Sequence, residues 1–159
     1  MYTDDYMTYL KKEKRMSENT RAAYGRDLAE FVAFEGARGM TDLLGVTSTE
    51  IIAFLHHLKC LGKSSATVNR KLASLRSFFH YLIHAGMMES DPTENIKSPK
   101  IERKTIEYLE MSEIEKLMAV PDDSVRGVRD RAILEVLYAT GIRVSELIAS
   151  NLEDVNMRM

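Results

Sequence analysis

Arg143 reads, from the residues alone, either as a surface or helix-capping arginine or as a phosphate ligand. The arginine follows Gly141-Ile142 and precedes Ser145-Glu146-Leu147, which opens a helix. A guanidinium held at a helix-helix junction presents a planar fork of donors that matches a phosphate better than a lysine does. Glu146 falls in the first turn of its helix, where the dipole favours an acid in any case. His80 and His84, four apart on one helical face, have a spacing that suits a metal. No glutamate follows His80 and no third ligand is evident, so they read as a solvated or phosphate-facing pair. No metal and no other cofactor is expected. His56 and His57 are adjacent and do not share a helix face. The single Cys60 excludes a disulfide framework and a multi-cysteine zinc site. It reads as a partly buried small residue.

Those side chains need rigid elements, and the apolar periodicity supplies helices. Tyr2, Tyr6, Tyr9 and Leu10 share one helical face. Ser17 or Asn19 caps a second helix with Ala23, Tyr24, Leu28, Phe31, Val32 and Phe34 inside, ending between Gly36 and Gly39. Thr47 and Glu50 have the spacing of a capping box, and Val46 and Ile51 that of its hydrophobic staple. The helix they open carries Ile51, Ile52, Phe54, Leu55 and Leu58. A fourth helix starts at Ser64 or Ser65 and buries Val68, Leu72, Leu75, Phe79 and Leu82. Arg70, Lys71, Ser74, Arg76 and Ser77 lie off that stripe. Glu89 to Lys104 holds Pro92 and Pro99 among polar residues and reads as an extended boundary. Beyond it, Glu110 or Ser112 starts a helix that ends before Pro121. The next, with Ile133, Leu134, Val136 and Leu137, reads as mostly buried, with Tyr138 in the core, and stops at Gly141.

Net charge is −2, but it is unevenly spread. Residues 1–104 carry 16 Lys and Arg against 13 Asp and Glu, a net +3; residues 105–159 carry 6 against 11, a net −5. No acidic residue lies between Glu50 and Glu89, a span that holds Lys59, Lys63, Arg70, Lys71, Arg76 and all four histidines. Such a one-signed stretch is a candidate phosphate-facing surface or a solvated basic face. No apolar run approaches the roughly 18 residues of a membrane span. The first fifteen residues lack the apolar core of a secretory signal. A cytoplasmic protein with no membrane partner is expected.

The segment ATGIRVSEL, Ala139 to Leu147, resembles the first active-site box of the tyrosine recombinases, the Xer and phage-integrase family. Met16 to Phe34 resembles the first helix of that family's core-binding domain, and Ser64 to Gly86 its last. Asp91-Pro92 and Lys97-Ser98-Pro99-Lys100 resemble the linker to the catalytic domain. The match runs over nearly the whole chain, in the family's order. The resemblance implies that Arg143 holds the scissile phosphate and that Glu146 supports it. It implies a helix of the first domain in the major groove, and Thr67, Arg70, Lys71, Ser74, Arg76 and Ser77 are the expected DNA contacts. The family attacks with a tyrosine and leaves a 3′-phosphotyrosyl bond. It needs a lysine on a β-hairpin, a His-x-x-Arg pair, a further His or Trp, and that tyrosine, all downstream of the first arginine. The sequence ends sixteen residues after Arg143 and contains none of them. Tyr138, its last tyrosine, precedes Arg143 and does not match the nucleophile.

The expected fold is all-α. Residues 1–88 form a four-helix, SAM-like core-binding bundle, 89–104 a linker, and 105–159 the opening helices of a truncated catalytic domain. The expected function is the DNA-binding portion of a site-specific recombinase, inactive alone, with double-stranded DNA as partner and no small-molecule substrate. Self-association through apolar faces in residues 105–159 is also expected. Two other classes stay open at this point: a non-enzymatic helical DNA-binding regulator, and a helical protein-interaction module.

Overall fold

The computed structural model describes residues 2–100 and 108–154, and among them every regular element is helical. The chain divides into two units, Met1–Arg103 and Lys104–Met159. The first holds α1 (Tyr2–Lys12), α2 (Glu18–Ala37), α3 (Ser48–Cys60) and α4 (Ser65–His84). The second holds α5 (Met111–Met118), α6 (Val125–Thr140) and α7 (Val144–Ala149).

Local chemistry sets the helix starts. The Ser17 hydroxyl accepts from Thr20 N–H at 3.3 Å and the Ser64 hydroxyl from Thr67 N–H at 3.2 Å. Thr47 Oγ1 accepts from Thr49 N–H at 3.2 Å while Glu50 Oε2 accepts from Thr47 N–H at 2.9 Å. These bonds satisfy amide donors that the first helical turn leaves orphaned. The hydrogen bonds from Thr47 hold the Glu50 carboxyl below its ordinary range. Val46 and Ile51, the expected staple pair, are both buried.

The core of this unit is aromatic. Phe31 of α2 meets Phe54 of α3 edge-on at 5.2 Å between centroids and Phe79 of α4 at 6.3 Å. Phe78 meets Phe79 at 5.3 Å and Tyr6 of α1 at 5.3 Å. Each buried ring contributes on the order of 2 kcal/mol, and the edge-to-face geometry adds to it. α4 buries a wider arc than its apolar stripe: Lys71, Ser74 and Phe78 lie inside with Val68, Leu72, Leu75, Phe79 and Leu82.

The proline-bearing stretch after α4 is docked on it. Thr93 and Ile96 are buried. The His80 ring lies 2.8 Å from Asp91 Oδ2, the Arg76 guanidinium donates to the Ile96 carbonyl, and Asn69 Nδ2 donates to the Pro99 carbonyl at 2.8 Å.

In the second unit α6 is not the buried helix its pattern predicts. Ile133 is 38% exposed, Val136 40% and Tyr138 56%, and the Tyr138 hydroxyl faces Met111 Sδ at 3.8 Å rather than a core. The apolar pattern records what a helix must cover, and α5 covers only one side. Cys60 is likewise exposed, not partly buried, because it sits on the outer face of α3 beside His56, 3.6 Å from its Nδ1.

Two groups give direct tests. Glu35 is 1% exposed, its Oε1 has no hydrogen-bond partner, and its Oε2 lies 3.9 Å from the exposed Arg38. Burial raises its pKa, so the folded form holds the proton more tightly than the unfolded form. Stability therefore falls as pH rises from the unfolded value through the folded one. Glu35→Leu is expected to raise the unfolding free energy by about 1–2 kcal/mol at neutral pH, the gain shrinking in acid; urea titrations read both. The second group is Gly127, where a Cβ would sit 2.1 Å from the Asp122 carbonyl oxygen. Gly127→Ala must displace the turn before α6. It is expected to lower the thermal midpoint more than Gly141→Ala, which meets only the left-handed backbone penalty of about 1 kcal/mol. Equal midpoints would contradict that close approach.

Candidate nucleic-acid interface

Gly141 ends α6 in the left-handed conformation, φ 65° and ψ 14°, and its N–H donates to the Leu137 carbonyl at 2.9 Å. Thr140 Oγ1 donates to the Val136 carbonyl at 2.6 Å and accepts from Ile142 N–H at 3.3 Å. The chain thus turns within three residues and delivers Arg143 to the N-cap of α7. Glu146 meets Arg143 twice: Oε2 accepts the backbone N–H at 2.9 Å and Oε1 accepts Nη1 at 2.8 Å. One carboxylate therefore caps the helix and holds the guanidinium.

The Arg143 side chain is 81% exposed and that of Glu146 49%. The expectation of a guanidinium locked between two helices is corrected here: the backbone is pinned, but the side chain is steered by one exposed ion pair worth about 0–1 kcal/mol. What the arrangement offers is a cation on a fixed Cα, with most of its donor fork facing solvent.

The six expected contacts on α4 separate into three kinds. Thr67 and Ser77 are half-buried, and the Thr67 hydroxyl bonds that of Ser64 at 3.0 Å. Arg76 is half-buried and spends its guanidinium on the Ile96 carbonyl and the Ser98 hydroxyl, the latter at 3.2 Å. Lys71 and Ser74 are 5% and 1% exposed, so neither presents the outer surface expected of it. Their polar atoms turn inward to Asp27 of α2, itself 2% exposed. Lys71 Nζ reaches Asp27 Oδ1 at 2.9 Å and Glu30 Oε2 at 2.8 Å, and Ser74 Oγ donates to Asp27 Oδ2 at 2.8 Å. Arg70 Nη1 also pairs with Asp27 Oδ2, but the Arg70 side chain stays 46% exposed.

Sequence reading missed Asp27 and Glu30. One signal was available: residues 71, 75, 78 and 82 repeat with the same four-three-four spacing as the chosen stripe, which places Lys71 at its edge. No local pattern pairs Lys71 with a carboxylate 44 residues away. Elsewhere on the first unit Lys59, Lys63 and Lys97 have no ion pair among the described residues. Lys59 and Lys63 are exposed, and Lys59, His56, Asn95 and Lys97 line a groove of about 300 Å³ floored by Ile52, Leu55, Ile96 and Pro99. Among the described residues no group of three or more His, Cys, Asp and Glu is placed to hold a metal ion. No described helix is long and apolar enough to cross a membrane.

Comparison with known proteins gives the family. The family described as "Phage integrase, N-terminal SAM-like domain" matches residues 3–86, and the "Phage integrase family" matches residues 107–159. The tyrosine recombinase XerD of Listeria monocytogenes serotype 4b is 40% identical over 158 residues, 98% of this chain and 53% of that protein. XerD of Listeria innocua is 42% identical over the same shares. The tyrosine recombinase XerC of Roseiflexus castenholzii is 39% identical over 154 residues, 96% of this chain and 49% of that protein. The chain spans about half the length of the curated relatives it matches. Arg143 and Glu146 fall inside the second match and the whole of α4 inside the first, so this chain belongs to the phage integrase family, the tyrosine recombinases.

Proposed function

We propose that residues 1–159 are the DNA-binding part of a site-specific tyrosine recombinase, with Arg143 as a ligand of the scissile phosphate. The observation that carries this reading is the Ala139–Leu147 junction, where a solvent-facing guanidinium stands at a helix N-terminus with Glu146 on one edge. Phosphodiester transfer builds charge on the non-bridging oxygens of a five-coordinate phosphorus, and a pre-placed guanidinium stabilises it. Glu146 leaves the other donors of the fork for those oxygens while limiting the rotamers that Arg143 samples. In this reading residues 1–88 are the core-binding domain, 89–104 join it to the next, and 105–159 open the catalytic domain. The activity of the whole protein is cleavage and rejoining of DNA through a 3′-phosphotyrosyl bond, which splits one hard exchange into two easier ones.

Phosphate contacts come from the exposed lysines of the first unit, Lys59, Lys63 and Lys97, together with Arg143. Apolar side chains left exposed in the second unit, Val125, Tyr138 and Ile148 among them, support self-association, which light scattering reads.

The 159-residue chain is expected to bind duplex DNA weakly, with log affinity falling by about 0.9 per phosphate contact for each tenfold rise in salt. Arg143→Ala should lower that slope by about 1. Anisotropy titrations across a salt series check it, and salt-indifferent binding contradicts the reading. Residues 144–159 contain no tyrosine. With a nicked suicide substrate the 159-residue chain, whose seven tyrosines all precede Arg143, is therefore expected to form no covalent adduct on a denaturing gel; an adduct would contradict this reading of its tyrosines.

A further inference from the structure

We propose that Arg70 reads a base edge in the major groove and that Asp27, buried beneath it, is the positioning residue that fixes its guanidinium. The pair would set the sequence preference of the helical bundle. This rests on the DNA-binding reading above and names a specificity-determining contact within it.

Three observations carry it. Asp27 is 2% exposed and anchored by Lys71 and Ser74, so its carboxylate is an immobile acceptor. Arg70 gives that acceptor one amino group, Nη1, and keeps its side chain 46% exposed; among the described residues its other donors make no further hydrogen bond. A guanidinium gripped at one corner presents its remaining N–H groups in a set direction, as bidentate recognition of guanine O6 and N7 requires.

Charge is the second consideration. Asp27 and Glu30 meet Arg70 and Lys71 in one cluster, two acids against two bases. The cluster has no net charge with which to draw a phosphate, but its directional donors survive neutralisation. Counterion release needs the former and base readout the latter. Lys59, Lys63 and Lys97, which have no ion pair among the described residues, suit phosphates instead.

Shape is the third. Ala66 and Ala73 stand exposed on either side of Arg70 along α4. A helix about 10–12 Å across fits a major groove about 12 Å wide. Methyl side chains on the leading ridge let it seat deeply enough for an arginine to reach the bases.

Selection from a pool of randomised duplexes with the 159-residue chain, then anisotropy on the enriched and a scrambled duplex across a salt series, tests this. The parent is expected to enrich a guanine-containing motif. Arg70→Ala should reduce its preference by roughly 10-fold or more with an unchanged salt slope, and Arg70→Lys, which lacks the fork, should not restore it. Asp27→Asn, checked for folding by its unfolding transition, should lose the same preference, and adding it to Arg70→Ala should lose nothing more. A salt slope lower by about 1 with preference intact makes Arg70 a phosphate contact and overturns the proposal. So does a parent that binds without enrichment, or a folded Asp27→Asn that keeps full preference. A parent that binds no duplex even at low salt removes the DNA-binding reading itself.

Discussion

The first unit depends on a carboxylate placed where water does not reach it. Asp27 lies between α2 and α4 with a lysine, an arginine and a serine around it. Taking an isolated carboxylate into such a site costs several kcal/mol, and only full satisfaction of its lone pairs offsets that. The cluster therefore acts more as a register device than as a source of stability. Sliding α4 along α2 by one turn would strand Asp27 and Lys71 apart, each charged and dry. The apolar contacts around Phe31, Phe54 and Phe79 tolerate many arrangements; the charged contact tolerates one.

α4 consequently serves three neighbours. Its apolar arc closes the core against α1, α2 and α3. Asn69, Arg76 and His80 fasten the segment from Asp91 to Pro99 along its flank. The ridge with Ala66, Arg70 and Ala73 is what remains for solvent. A helix with two of its sides committed does not offer a broad basic face, and the exposed Lys59, Lys63 and Lys97 sit instead at and just after the end of α3 and in the 95–99 segment.

Arg143 and Arg70 are each held by a carboxylate, and the difference in burial separates their behaviour. Glu146 is half exposed, so it guides Arg143 weakly and leaves its side chain room to reorient. Asp27 is nearly sealed, so it holds Arg70 in one place. A phosphate ligand tolerates the first arrangement because charge attraction falls slowly with angle. A base-edge reader needs the second because a hydrogen bond does not.

The helices, their starts and their stops are legible in the sequence because they depend on neighbours a few residues away: Ser17, Ser64, the Thr47–Glu50 box and the left-handed Gly141 act within their own turn. The Ala139–Leu147 box and the apolar stripes are legible for the same reason, and with them the family and the all-α fold. The burial of Lys71 and Ser74, the tie between His80 and Asp91, and the exposure of Tyr138 were decided only in three dimensions. Each depends on which chain segment lies opposite, and a helical pattern states that one face must be covered without stating what covers it. The partner of a charge 44 residues away is a property of packing, and packing alone placed Asp27 beneath Arg70.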